Sequence, residues 1–146
     1  MRLLLSIIFF LNINLSFSQS TSNKLKSFNS FKAGEKLEYK LQYGFFNASY
    51  ASLTLKEDVV NNEKVLRATS IGRTTGLARL FFKVDDTYET FFSFDKVQPL
   101  KSIRDIYEGG YVRNAETLYD YNSNTAFFHD KIKNIKKEFD IHPEIQ

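Results

Sequence analysis

The chain has 146 residues, with 20 lysines and arginines against 17 aspartates and glutamates, for a net charge of +3. That length supports one hydrophobic core rather than two, and so small a charge does not predict nucleic-acid binding. Cysteine is absent, which excludes a disulfide framework, a thiolate metal site and a lipid-modified N-terminal cysteine, so stability must come from packing.

Met1 and Arg2 precede an apolar run from Leu3 to Phe17 that closes on Ser16-Phe17-Ser18. Small residues at the first and third places before Gln19 predict a signal peptide over residues 1–18, cut between Ser18 and Gln19. Ser6, Asn12 and Asn14 interrupt the run, and it falls short of the ~20 apolar residues of a membrane-spanning helix. An exported protein with no transmembrane span is therefore expected, and not a lipoprotein. Residues 19–33, rich in Ser, Asn and Lys, read as a flexible lead-in that docks near its end through Leu25, Phe28 or Phe31. Residues 34–146 form a single domain. Its 15 Phe and 8 Tyr, counted over the whole chain, with only two prolines, favour a β-rich fold.

From Gly34 the chain alternates: Leu37, Tyr39, Leu41 and Tyr43 against Glu38, Lys40 and Gln42. This predicts a half-buried strand. After Gly44 and a corner at Phe45-Phe46-Asn47, Ala51, Leu53 and Leu55 alternate with Ser52, Thr54 and Lys56. Asn61-Asn62 suits a tight hairpin because asparagine tolerates positive φ, and the chain returns through Val65 to Ile71. Leu77, Leu80, Phe81 and Val84 then fall at i, i+3, i+4 and i+7, one stripe of a short helix with Thr75 as its N-cap.

The period returns to two from Val84 to Phe94, with Asp86 and Tyr88 on one face and Glu89 and Phe91 on the other, so neither side is wholly dry. Leu100–Tyr107 and Tyr111–Tyr121 are joined through Glu108-Gly109-Gly110, where two glycines supply the positive φ of a type I′ hairpin. Asn122-Ser123-Asn124 turns the chain into Thr125–Lys131. Beyond it, Ile132, Ile135 and Phe139 have helical spacing while Lys137, Phe139 and Ile141 fit a strand, and Pro143-Glu144 has the form of a helix start. The expectation is mainly β: seven or eight antiparallel strands in a curved sheet or open barrel with one short amphipathic helix.

Gly34-Glu35-Lys36-Leu37-Glu38-Tyr39, the stretch Gly76 to Ser93 and the stretch Pro99 to Tyr111 resemble a family of exported bacterial proteins called domain of unknown function 3108. The resemblance implies a single, mainly β domain in the periplasm or at the outer-membrane periphery of a Gram-negative bacterium, with no established activity. It supplies no catalytic residues. Members of the family continue past the position of Ile141 with a helix and further strands, so the resemblance implies a chain truncated at its C-terminus. A looser likeness in fold links it to the open barrels of periplasmic lipoprotein carriers, in which a sheet holds acyl chains under short helices.

Chemical motifs are few. Asp85 and Asp86 point to opposite faces of one strand, which leaves only Asp85 and Glu89 together and favours an ion-paired surface over acid–base catalysis. His129 and Asp130 diverge likewise, two histidines without cysteine make a poor zinc site, and no Gly-x-Ser-x-Gly elbow occurs. Lys131, Lys133, Lys136 and Lys137 read as a solvated face. No catalytic residue, metal or cofactor is expected.

Aromatic residues on neighbouring strands, interleaved with Arg104 and Arg113, leave two readings open: a packed core, or a cavity for an apolar ligand with a charged end. In the cavity reading the ligand contacts are Tyr88, Arg104, Tyr107, Tyr111, Arg113 and Tyr119, with the helix as a lid bearing Phe81 and Phe82. The function expected is non-enzymatic binding of a lipid or other amphiphile of the envelope. The alternative is a structural module that pairs with an envelope protein through a sheet edge.

Overall fold

Segments of alternating polarity become eight strands in the computed structural model, which describes residues 30–145. The expected signal peptide, its cut at Ser18-Gln19 and most of the lead-in lie outside the described residues. In chain order the elements are β1 (Lys36–Tyr43), β2 (Phe46–Val60), β3 (Glu63–Thr74), α1 (Gly76–Phe81), β4 (Asp85–Phe92), β5 (Pro99–Glu108), β6 (Tyr111–Asp120), β7 (Thr125–Asp130) and β8 (Ile135–Asp140). The strands form one sheet in sequence order, every neighbouring pair antiparallel, with β1 and β8 at its two edges. The expected mainly β antiparallel fold with one short helix is what forms, as an open sheet rather than a closed barrel.

Turn chemistry explains the meander. Asn61 and Asn62 both take positive φ (51° and 65°), as a type I′ hairpin between β2 and β3 requires, and Gly109 and Gly110 (55° and 99°) do the same between β5 and β6. Asn124 and Asn134 supply the left-handed residue in the next two turns, at 54° and 51°. In the last of these, Asp130 Oδ1 also accepts from the backbone N–H groups of Ile132 and Lys133. The ambiguous C-terminal segment becomes strand β8 because β7 offers a whole free edge to pair with. Pro143-Glu144 is a turn, not a helix start.

The helix is shorter than its apolar stripe suggests. Val84 bridges to Glu108 instead of continuing the last turn. Thr75 sits at the N-cap position without capping, because its hydroxyl donates to the Asn47 carbonyl at 3.2 Å. Its own N–H donates to the Ala48 carbonyl at 3.0 Å. Fastening α1 to the start of β2 thus takes the place of a cap.

Buried apolar side chains are Leu55, Val65, Leu66, Phe91, Ile106, Ala115 and Ala126, a core centred on the middle strands. β1, expected to be half-buried, is exposed at all eight positions. The reason is architectural: alternation makes one face of β1 apolar, but a single-layered sheet brings no second layer to cover it. Before β1, backbone pairing with Leu55 (Gly34 N to Leu55 O, 2.8 Å; Leu55 N to Glu35 O, 2.9 Å) holds the chain against β2. Phe31 thereby meets Phe92 edge to face, with ring centroids 6.0 Å apart.

Candidate binding face

Register decides which side chains share a face, because residues directly opposite on antiparallel strands point the same way. Leu37 and Tyr39 of β1 lie opposite Leu53 and Ala51 of β2, and Leu55 opposite Ala68 of β3. Leu66 and Ser70 of β3 lie opposite Phe92 and Tyr88 of β4, and Tyr88 opposite Arg104 of β5. Arg104 and Ile106 lie opposite Ala115 and Arg113 of β6. Tyr119 is opposite Ala126, which faces Phe139 of β8. One face of the sheet therefore carries apolar and aromatic side chains from edge to edge, with Asp86, Arg104, Arg113 and Asp130 set among them, and it remains partly exposed: Leu53 is 41%, Tyr111 48% and Phe139 46% exposed.

Three hollows mark this face among the described residues, one of them a cleft of about 320 Å³ beside Phe31, Glu57 and Leu66; the other two bear on binding. A mainly apolar one of about 210 Å³ is lined by Phe31, Leu37, Leu53, Leu55, Ala68 and Phe92, with Glu35 and Thr54 at its margin. A second, of about 380 Å³, includes Tyr88, Thr90, Ser102, Arg104 and Tyr119. Phe92, Thr90 and Tyr88 alternate along β4, so these two hollows adjoin along one strand.

The two arginines differ. Arg113 is engaged: its guanidinium lies 5.4 Å from the Phe128 ring centroid and its Nε is 3.9 Å from Asp130 Oδ2. Arg104 is exposed and makes no hydrogen bond or ion pair among the described residues. It is free to meet an incoming anion, as is the exposed Lys137 of β8, which lies opposite Phe128 on the same face. Beside Arg104, burial and then the charges of Asp86 and Glu108 hold the Tyr88 phenol above its usual range.

Of the residues singled out from sequence, Tyr88, Arg104, Tyr111, Arg113 and Tyr119 share the apolar face. Tyr107 does not: it lies one residue out of phase, on the opposite face, under the Lys83 ammonium at 4.6 Å. Phe82 packs against Gly109 at the β5–β6 turn, while Phe81 is 88% exposed. Arg79 of α1 forms paired bonds to Asp85, at 2.8 and 2.6 Å. Together with Thr75 on β2, these contacts hold α1 at one end of the sheet, which is not the position of a lid over the aromatic face.

Sequence reasoning does not single out Leu53, Leu55 or Phe31 for the apolar hollow, although the alternation of β2 is the signal that finds the first two. It also misses an acidic pair. Asp86 is buried and accepts from the Tyr107 N–H at 3.1 Å. A shared hydrogen bond with Asp86 holds the Glu108 carboxyl above its ordinary range. Nothing local in the sequence reveals this, because the two residues meet only through the β4–β5 register.

The other face mixes buried Val65 and Phe91 with charged side chains that are largely paired with one another. Lys36 pairs with Glu38 at 2.8 Å, Arg67 with Asp58 at 3.3 Å, and Lys101 and Lys131 with Glu116 at 3.1 and 2.9 Å. Thr69 donates to Glu89 at 3.2 Å. Asp85 and Glu89 thus make an ion-paired surface, while Asp86 is buried. Among the described residues, no three His, Asp or Glu side chains gather closely enough to hold a metal ion, and no helix is long and apolar enough to cross a membrane.

No curated protein and no solved structure matches the chain. The family model described as protein of unknown function (DUF3108) matches residues 38–146, a span that takes in β2 to β8 and all but the first two residues of β1, while Phe31, Glu35 and Leu37 of the apolar hollow precede it. With the match covering well over half of the sequence, the chain belongs to the DUF3108 family of proteins of unknown function.

Proposed function

We propose that the apolar face is a binding surface for an amphiphile with an anionic head, and that the protein is an exported, non-catalytic binder of such a molecule in the periplasm or at the outer-membrane periphery. The observation that carries this reading is the adjacency of an apolar hollow at Leu53, Leu55 and Phe92 to an unpaired cation at Arg104. An acyl chain laid along β4 would cover exposed apolar surface, each Å² removed from water contributing about 25 cal/mol. The carboxylate or phosphate head would then reach Arg104, whose guanidinium offers a fork of donors.

Titration with dansyl-labelled undecanoic acid tests the reading. Saturable binding is expected, weakened about tenfold by Arg104→Glu through the head and by Leu53→Asp through the chain. Arg113→Gln is expected to matter less, since Arg113 is already held by Asp130 and Phe128. Non-saturable binding, or equal affinity in wild type and Arg104→Glu, would sink the proposal.

A second reading, an interaction module that pairs through a sheet edge, is favoured by the complete exposure of β1 and β8.

A further inference from the structure

β1 is an edge strand with all eight side chains exposed, and among the described residues its outer backbone groups have no strand partner. Lysines commonly guard such edges, because an approaching strand must accommodate their charge. In β1 the guard is incomplete for one partner. Glu38 and Lys40 lie on the same face two residues apart, opposite Ser52 and Tyr50 of β2. The run Leu37-Glu38-Tyr39-Lys40-Leu41 is therefore complementary to its own reverse, centred on Tyr39.

We propose that β1 pairs antiparallel with β1 of a second copy of this chain, about a two-fold axis through Tyr39. Such an axis, normal to the sheet, keeps like faces together. Glu38 of each copy then faces Lys40 of the second copy on the polar side. Leu37 faces Leu41 of the second copy on the apolar side, where the two side chains are 50% and 54% exposed. Tyr39 faces its own counterpart. The apolar face continues unbroken from one sheet into the other.

Neighbouring registers are disfavoured. An axis at Glu38 or Lys40 sets like charges directly opposite, which is repulsive. An axis at Leu37 opposes Lys36 to Glu38 but engages only the first part of the strand. The other edge cannot copy the arrangement, since the middle of β8 is Lys136-Lys137-Glu138 and an axis on any of the three opposes a charge to itself. Self-pairing through β1 alone closes as a dimer instead of growing.

The test is native mass spectrometry with sedimentation velocity, taken up to about 1 mM protein. Wild type is expected to dimerise. Glu38→Lys and Lys40→Glu, both on exposed positions, are each expected to be monomeric alone. They should form a heterodimer when mixed, because each then supplies the charges the other lacks. Tyr39→Cys, the sole cysteine in its chain, is expected to crosslink to a second copy on oxidation, since directly opposite residues have Cα atoms about 4.5–5.5 Å apart. Leu37→Cys alone should not crosslink, but should do so when mixed with Leu41→Cys. A monomeric wild type, dimers that survive both charge reversals, crosslinking through Leu37→Cys alone, or open-ended assemblies joining β1 to β8 would each overturn the proposal.

Discussion

Asp85 gathers more charge than any other described side chain. Arg79 grips both its carboxylate oxygens, Lys83 lies 3.5 Å away and Arg73 3.9 Å away. The Arg79 hydrogen bonds are the main reason its carboxyl sits at about 2 instead of the ordinary 3.8. A carboxyl whose folded value is depressed adds stability above its unfolded value, and that stability is lost as pH falls through the folded one. The stability difference between wild type and Asp85→Asn is therefore expected to be full above pH 3.8 and to vanish near pH 2. Denaturant midpoints measured at intervals between pH 2 and 6 check this, and a difference that ignores pH would contradict it. That Asp85 and Asp86 diverge is legible from strand periodicity alone. Their partners are not, because Arg79 reaches Asp85 only through the way α1 docks, and Tyr107 reaches Asp86 only through the β4–β5 register. Val97 is illegible for a different reason. Its φ of 56° is a conformation that β-branched residues avoid, held here by a Val97 N to Ser93 O bond at 3.2 Å.

Hairpins are the elements best written in the chain, and the β5–β6 hairpin shows where local rules stop. Two adjacent glycines announce the turn, and their φ values agree. Gly109 has a second duty: a Cβ there would stand 2.2 Å from Phe82 Cε2, so the turn is also the floor on which Phe82 rests. Gly109→Ala is expected to cost roughly 1–2 kcal/mol from its left-handed backbone, and more from the clash. In a Phe82→Ala background the clash is gone, so the double variant should cost less than the sum of the two, by about 0.5–3 kcal/mol. Urea unfolding of the four proteins measures the coupling, and strict additivity would show that the ring and the turn do not touch. The α1 stripe illustrates the opposite case. Its period is real, but Leu80 and Phe81 remain 79% and 88% exposed, since six helical residues fastened at the end of a sheet find no layer to pack against.

At the scale of the molecule, stability should fall from the centre of the sheet to its edges. The buried side chains lie on β2 to β7, and β1 and β8 contribute none. Hydrogen exchange on dilute, monomeric protein is expected to be slowest in β3 to β6 and fastest in β1 and β8, because local opening follows the apolar contact each strand must break. Uniform protection across all eight strands would mean that the edges are covered in solution. The sequence by itself determined the strands up to β7, through alternation of period two, and most of the turns, through asparagine and glycine at positions that need positive φ, whereas β8 was decided by the free edge of β7. Parity also puts Tyr111, Arg113 and Tyr119 on one side of β6, but it is the β4–β5 and β5–β6 registers that bring Tyr88 and Arg104 to the same face. Parity within β5 also sends Tyr107 to the face opposite Arg104, three residues away, a reading the alternation already contained. Tertiary structure alone decided that Asp86 meets Glu108, that Arg104 stays unpaired while Arg113 does not, and that the sheet stays open. Alternation specifies which side of a strand is apolar, but whether that side is covered depends on register and on distant strands, and neither is encoded in any local run of residues.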